Sequence, residues 1–334
     1  MLYGIKKIAI LSGGSGNDAI LQALFNLGYT DNDIDIIVNA YDDGKSTGVC
    51  RDVTGTLGVS DIRKNHEKIH KMLNTKVDPE IERLMSSRMD ITDFSMEFSH
   101  PIINESFRRF FHRYNSRNYE YKNFSVMNIV YSQMFSDIGY ASTNSIMSDL
   151  LGIEDMVCLN SFDNIKIVAK TRFGAIINDE EKIVEHKDAK DPIEDIFFVG
   201  KQVLGLNKRA LKIIKEADLI IISTGTFWSS IYPTLSYCDF YKYINDSSKN
   251  KLWVVNSEQD KDAYGVSSAK LYDKMDSLGL NMREFDIIVN SEADPILQEI
   301  NKRMVGRTYR YNLGNDKGRN DPDKVARALE RVYG

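Results

Sequence analysis

Lys7-Ile8-Ala9-Ile10-Leu11-Ser12-Gly13-Gly14-Ser15-Gly16 decides how this chain of 334 residues is read. Its first half is a short apolar run of β-favouring residues, the pattern of a strand buried on both faces. The run breaks into a glycine-rich turn, and Asp18-Ala19-Ile20-Leu21-Gln22-Ala23-Leu24 then repeats apolar residues at helical spacing. Strand, glycine turn and helix together aim backbone N–H groups and the positive end of a helix at one spot. That spot is a seat for phosphate. Gly13, Gly14, Ser15 and Gly16 are therefore candidate phosphate-binding residues; a turn that needs φ > 0 is the alternative.

Working outward, a second strand, Ile34-Asp35-Ile36-Ile37-Val38, runs into Asn39-Ala40-Tyr41-Asp42-Asp43-Gly44-Lys45-Ser46-Thr47-Gly48, with Arg51 beyond. A third cluster, Ser60-Asp61-Ile62-Arg63-Lys64-Asn65, stands directly before a helix expected from about 64 to 73. Successive parallel strands would carry these loops to one edge of a sheet, where open α/β sheets bind ligands. Later strands repeat the theme. Asp218-Leu219-Ile220-Ile221-Ile222-Ser223 feeds Thr224-Gly225-Thr226, and two more strands end on Asn256 and Asn290. The alternation implies right-handed crossovers and an α/β fold: a doubly wound, mostly parallel, Rossmann-like sheet.

The length suits one domain over 1–334, with 74–123 as a helical insertion or lid. Within that insertion Phe107, Phe110, Phe111 and Tyr114 fall on one helical stripe, which predicts packing rather than stacking on nucleic acid. Residues 164–169 and 172–177 read as a hairpin-like pair on the sheet's periphery, and 193–199 as a further strand. A helix over 124–151, an amphipathic helix over 207–217 and a final helix capped after Asn320-Asp321-Pro322 complete the reading.

Gly13-Gly14-Ser15-Gly16, Asp42-Asp43-Gly44-x-Ser46-Thr47-Gly48 and Asp61-Ile62-Arg63-x-Asn65 together resemble the CofD/YvcK family of 2-phospho-L-lactate transferases and gluconeogenesis factors. Ser223-Thr224-Gly225-Thr226-Phe227-Trp228-Ser229-Ser230-Ile231-Tyr232-Pro233 and the run from Asn256 to Tyr264 extend the resemblance. It covers roughly the first 70 residues and most of 124–334. Val126-Met127-Asn128 resembles the family's glycine-asparagine helix start, with Met127 in place of glycine. Asn128 is thus a ligand contact or an internally bonded polar residue. The family's Gln-Pro-Gly-Glu before Asp262-Ala263-Tyr264 is missing here, and Lys45 stands where the family has glycine.

The resemblance implies a nucleoside diphosphate-linked ligand, either a GDP-type donor for Mg²⁺-dependent phospho-group transfer or a nucleotide sugar bound without catalysis. Gly13 to Gly16 and Thr224, Gly225 and Thr226 would offer N–H groups and hydroxyls to the diphosphate. Arg51 and Arg63 would offset its charge. Gly44, Ser46, Thr47, Asn65, Asn256 and Tyr264 are the remaining candidate contacts, and Lys45 either meets a phosphate or faces solvent. Asp42, Asp43 and Asp61 suit Mg²⁺, which takes a few carboxylates and bridges phosphate oxygens, and they are the candidate catalytic and metal residues. Turn formation is the alternative for Asp42 and Asp43. A homodimer is expected.

A net charge of −5 argues against a general nucleic-acid binder. No apolar run approaches a membrane span and the N-terminus lacks a signal-peptide core, so a cytoplasmic protein without a membrane partner is expected. Cys50, Cys158 and Cys238 are isolated, which indicates no disulfide framework. Two motifs are near misses. Gly44-Lys45-Ser46 lacks the glycine a P-loop needs five positions earlier, where Asn39 stands. His66-Glu67-Lys68-Ile69-His70 satisfies a zinc-protease spacing, but lysines crowd it and no third ligand follows. A solvated helix face without zinc is expected there.

Overall fold

The computed structural model describes residues 1–89, 96–114, 121–314 and 319–334, apart from the side chains of Lys45 and Tyr114. The strands are β1 (Ile8–Leu11), β2 (Ile34–Val38), β3 (Val157–Leu159), β4 (Lys166–Thr171), β5 (Ile176–Ile177), β6 (Ile193–Val199), β7 (Leu219–Ile222), β8 (Asn250–Val254), β9 (Phe285–Asn290) and β10 (Thr308–Tyr311). The helices are α1 (Asp18–Asn26), α2 (Lys45–Thr54), α3 (Ser60–Leu73), α4 (Pro79–Ser86), α5 (Pro101–Tyr114), α6 (Val126–Leu151), α7 (Glu180–Glu185), α8 (Lys208–Glu216), α9 (Tyr232–Ser236), α10 (Phe240–Asn245), α11 (Ser268–Leu278) and α12 (Pro322–Tyr333).

Among the described residues, seven strands form one sheet in the order β10-β9-β8-β7-β1-β2-β3. Every pairing in it is parallel. Alternate residues of a strand face opposite sides, and here both sides are covered. Ile8 and Ile10 join the apolar cluster on one face, with α1, α3, α6 and α12. Ala9 and Leu11 join the cluster on the other face, with α8, α10 and α11. Burial on both faces is why these strands are apolar at successive positions rather than at every second one.

The chain starts at the centre of the sheet, builds outward through β2 and β3, then returns to the other side of β1 with β7. The order therefore reverses between β1 and β7, and the crevice beyond their C-terminal ends is the topological switch point. The doubly wound fold expected from the sequence is the one observed.

Three expectations need correction. The third cluster is not a loop before a helix: Ser60 to Asn65 already form the first turns of α3, with Arg63 N–H bonded to Val59 O at 3.0 Å. Likewise the stretch after Gly44 is the start of α2, whose Gly48 lies so close to the Asp43 carbonyl that a Cβ would collide with it. The hairpin-like pair does not edge the main sheet but builds a separate antiparallel sheet, β5-β4-β6.

The face of α3 that carries His66 and His70 is not solvated either. His66 is fully buried and shares a 2.9 Å hydrogen bond with Tyr131 Oη, while His70 is bonded to Thr75 Oγ1 at 2.7 Å. These residues sit under α6, so the amphipathic side of α3 is its histidine side.

Between 74 and 123, the apolar residues of α4 and α5 (Ile81, Leu84, Met85, Phe107, Phe110 and Phe111) are buried in the same core cluster as Ile8. The phenylalanine stripe is core packing, with Phe107 and Phe111 edge-to-face at 4.9 Å. The expectation for Tyr114 lies outside the described residues. The helix expected over 124–151 is α6, from Val126 to Leu151, broken at Gly139 (φ 78°, ψ 169°).

Candidate functional site

The glycine turn after β1 is set by close approach. A Cβ on Gly16 would run into the Thr224 carbonyl and Gly225, and Thr224 Oγ1 donates to the Gly16 carbonyl. A Cβ on Gly14 would strike the Asp61 carboxylate, and one on Gly13 would come within 2.6 Å of Ser230 Oγ. Gly16 thus meets backbone across the crevice, whereas Gly13 and Gly14 leave room for the side chains of Ser230 and Asp61. Asn65 holds the turn from beneath, its amide donating to the Gly13 carbonyl at 3.1 Å and the Asp61 carbonyl at 2.8 Å. Fully buried, Asn65 is a clamp and lines no cavity.

The two aspartates after β2 part company. Asp42 Oδ1 accepts the Gly44 N–H at 3.1 Å, a side-chain-closed turn, and Asp42 lines a cavity of about 340 Å³ in front of the glycine turn. Asp43 turns away. Its carboxylate pairs with Lys166 Nζ of β4 at 2.8 Å and lies 3.9 Å from the Arg51 guanidinium. Arg51 is buried and donates to the carbonyls of Tyr41, Asp42 and Ile165 and to Asn164 Oδ1 (3.1, 3.0, 2.7 and 2.8 Å). It ties the small sheet to the main one and reaches no cavity.

Asp61, in the first turn of α3, does face the cavity, as do Ser46, Thr47, Arg63 and Asn128. Asn128 proves internally bonded as well. It accepts from Arg63 Nε at 2.8 Å and donates to Ser46 Oγ and Thr47 Oγ1 at 3.2 and 3.3 Å. Arg63 also grips Glu67 and the Met85 carbonyl, so its charge is largely committed. The expectation for the Lys45 side chain lies outside the described residues.

The sequence reading missed the roof of this cavity. Glu180, Glu181, Val184 and Glu185 of α7 line it, together with Asn39, Lys64, Arg88, Ser229 and Ser230. Glu180 sits against Gly44, where an added Cβ would lie 2.8 Å from its carboxylate and 3.7 Å from Asp42 Oδ1. Burial, then the charges of Asp42 and Asp61, hold the Glu180 carboxyl well above the usual carboxylate range. Asp61 is raised too, first by burial, while the Lys64 ammonium at 3.7 Å opposes the shift. Nothing in the Glu180-Glu181 spacing points to Asp42; only the small sheet brings them together. Ser229 and Ser230 had a readable signal, since they stand three and four residues after Thr226 and hydrogen-bond it at 2.7 and 2.9 Å.

A second hollow of about 600 Å³ lies across the glycine turn, lined by Gly16, Asp18, Thr224, Gly225, Asn256, Asp260 and Arg319 among others. Ser15 and Thr226 line both spaces, so the turn after β1 and the turn after β7 form the ridge between them. Behind that ridge, buried Asp262 accepts the N–H groups of Trp228 and Ser229 at 3.0 and 3.1 Å. It thereby caps the π-helical turn Phe227–Ile231. Burial pushes the Asp262 carboxyl up against the N–H groups it accepts, and Asp260 is raised by its own burial and then by the charge of Asp262. Tyr264 lines neither space; its ring lies under Lys187 Nζ at 4.6 Å.

Fold and site together define a Rossmann-like protein with a glycine turn at its switch point and a cavity lined by acidic residues beside it. The family described as 2-phospho-L-lactate transferase CofD matches residues 8–327, and the chain belongs to that family. A putative gluconeogenesis factor of Thermoanaerobacterium thermosulfurigenes is 30% identical over 313 residues, 93% of this chain and 86% of that one. Another from Clostridium acetobutylicum is 26% identical over 252 residues, 75% of this chain and 48% of its own length. A solved structure of a UPF0052-family protein from Bacillus halodurans, 21% identical, superposes with a TM-score of 0.72 over 97% of this chain and 99% of that one. Family and relatives support a phospho-transferase-like or nucleotide-related function. Among the described residues no helix is long and apolar enough to cross a membrane.

Proposed function

We propose that the protein binds a nucleoside diphosphate-linked ligand across the ridge of Gly14 to Gly16 and Thr224 to Thr226. The nucleoside lies in the larger hollow and the linked group in the acidic cavity. One observation carries the reading: the two spaces meet at the glycine turn, where helix and turn N–H groups suit a diphosphate. The hydroxyls of Thr226, Ser229 and Ser230 add donors on the cavity side.

Mg²⁺ fits the donor set here. Among the described residues no three acidic, histidine or cysteine side chains are grouped to hold a metal by themselves. Mg²⁺ needs no such cage, since it is bound through one or two carboxylates plus phosphate oxygens and water. Asp42 and Asp61 would hold it, with the space left by Gly14 beside Asp61. Bound there, it would offset the charge of carboxylates and phosphates placed side by side.

The chemistry favoured is transfer of the distal phospho-group to an acceptor hydroxyl. The hydroxyl oxygen forms a bond to that phosphorus and the bridging P–O bond breaks. A nucleoside monophosphate then leaves with the electron pair, and the hydroxyl proton passes to a carboxylate of the cavity. Such transfer is mostly positioning and charge neutralisation. The relatives' name, gluconeogenesis factor, favours a second reading, a regulator of carbon metabolism that binds a nucleotide sugar in these spaces with no transfer step. A thermal-shift panel of GDP, UDP and UDP-sugars, with Mg²⁺ and with chelator, tests both. Ligand at about 100 times Kd should add about 2.7 kcal/mol. Absence of any nucleotide shift would overturn the proposal, and phosphorus NMR of the bound donor separates transfer from binding alone.

A further inference from the structure

Arg51 and Arg63 are committed to carbonyls, amides and Glu67, so the charge of a diphosphate at the glycine turn must be met by another side chain. Among the described residues three cationic side chains line the cavity: Arg63, Lys64 and Arg88. Arg88 Nη1 donates to the Asn123 carbonyl at 2.9 Å. Lys64 lies over the glycine turn itself. A Cβ on Gly14 would stand 2.7 Å from Lys64 Cδ, so the glycine leaves the lane that the lysine stem follows. The Lys64 side chain is 40% exposed, and its ammonium is 3.7 Å from Asp61 Oδ1, an ion pair beyond hydrogen-bond distance. The neighbouring residues of α3 are tied down. Asn65 clamps the Gly13 carbonyl and accepts from Asn17 Nδ2 at 3.1 Å. Lys68, one turn beyond Lys64, donates to Asn17 and Asp18 at the start of α1. Lys68 thus holds α1 against α3, while Lys64 keeps its ammonium in the cavity.

We propose that Lys64 is the phosphate-binding cation of this site: with a diphosphate seated on the turn from Gly14 to Gly16, its ammonium donates to the phosphate oxygen nearest Gly14. The inference rests on the nucleotide reading given above and gives Lys64 the task that the sequence suggests for Arg51 and Arg63. An ammonium is a compact charge with three donors on a flexible stem, so it can donate to phosphate while Asp61 stays its neighbour. Carboxylates line the same cavity, so a diphosphate enters against like charge and the nearest uncommitted cation decides how tightly it is held. Because α3 is clamped to the turn through Asn65, the lysine is carried on a rigid element at a fixed distance from the seat.

The test is calorimetric binding of GDP and UDP, in Mg²⁺ and in chelator, to the intact chain and to its Lys64→Met and Lys71→Met variants. Lys71→Met is the control: it removes an equal charge about two turns along the same helix, where Lys71 pairs with Glu67 at 2.7 Å. Under the proposal Lys64→Met lowers affinity for the diphosphate by about tenfold or more, the loss of one charge-assisted hydrogen bond. Lys71→Met should change it by less than about threefold. Guanosine and uridine carry no phosphate, and saturation-transfer NMR should find them bound equally by all three proteins. Unchanged diphosphate affinity in Lys64→Met overturns the proposal, and so does an equal loss for the nucleosides. A second measurement needs no variant: reductive methylation, read by peptide mass spectrometry, should modify Lys64 in the free chain and spare it under saturating diphosphate. Modification that the diphosphate does not diminish overturns the proposal as well. A wild-type chain that binds neither GDP nor UDP overturns the nucleotide reading itself, an outcome distinct from these. Melting without nucleotide shows whether each variant is folded.

Discussion

Asn256 holds Gly225 from both sides: its Oδ1 accepts the Gly225 N–H at 2.9 Å and its Nδ2 donates to the Gly225 carbonyl at 3.0 Å. Gly225 has φ 152°, a conformation that L side chains avoid, and it forms part of the ridge at the switch point. Asn256 ends the run after β8, so one strand end fixes the turn after its neighbour. Asn256→Ala leaves two backbone groups of Gly225 without partners and should cost about 1–3 kcal/mol. It should also weaken nucleotide binding more than this destabilisation explains. Urea unfolding with calorimetry checks it; normal binding in a folded variant would make Asn256 purely structural.

The glycine turn should be intolerant of even a methyl group. Gly16→Ala places Cβ against the backbone of Thr224 and Gly225, which cannot step aside as a flexible side chain can. Overpacking of this kind costs about 1–3 kcal/mol. Gly306→Ala is the control, with nothing within 4 Å of the added carbon and an expected change within about 0.5 kcal/mol. Equal melting temperatures for the two variants would refute the close-approach account.

His66 should make the protein sensitive to acid. Burial lowers its pKa from 6.5 to about 3, so the native state holds it neutral while the unfolded chain takes up a proton. Its contribution therefore falls as pH drops below about 6.5, by up to about 1.4 kcal/mol per pH unit until pH 3. The quantity to measure is the stability difference between wild type and His66→Gln at pH 7.5 and pH 4.5. That difference should shift against wild type at the lower pH. A constant difference would mean that His66 does not titrate this way.

Asp262 should act in the opposite sense. Its folded-state pKa is raised by burial, so its contribution is fully present below the unfolded carboxylate pKa near 4 and is lost as pH rises toward neutrality. Asp262→Asn keeps an oxygen to accept the Trp228 and Ser229 N–H groups and removes the charge. The variant should gain on wild type between pH 5 and pH 8 in urea midpoints. Parallel profiles would show that burial does not raise the Asp262 carboxyl in this way.

Much of this protein is readable without coordinates, and for a physical reason. Strands covered on both faces are apolar at successive positions, so Ile8 to Leu11, Ile36 to Val38 and Leu219 to Ile222 announce themselves. Glycine stands where the chain turns tightly or is closely approached, so Gly13, Gly14 and Gly16 mark the turn after β1 before any neighbour is known. Both signals are local, because each depends on what a residue lacks or excludes. His66 and His70 defeated the same reasoning, since polar residues on a charged helix look solvated until α6 is laid across them.

The division of labour in the site lay beyond such signals. Asp42 and Asp43 are adjacent carboxylates in one turn, and their opposite directions depend on where Lys166 arrives, more than a hundred residues later. Arg51 and Arg63 read as phosphate ligands because a cation in a glycine-rich segment usually has an anion to meet; each proved committed to carbonyls, amides or Glu67. Glu180 carried no motif at all. The sequence alone therefore determined the parallel, doubly wound class of the sheet and the glycine turns at its edge, which follow from burial and tight turning. Only the tertiary structure decided which charges face the cavity, because a charge's role depends on the partner that folding brings to it.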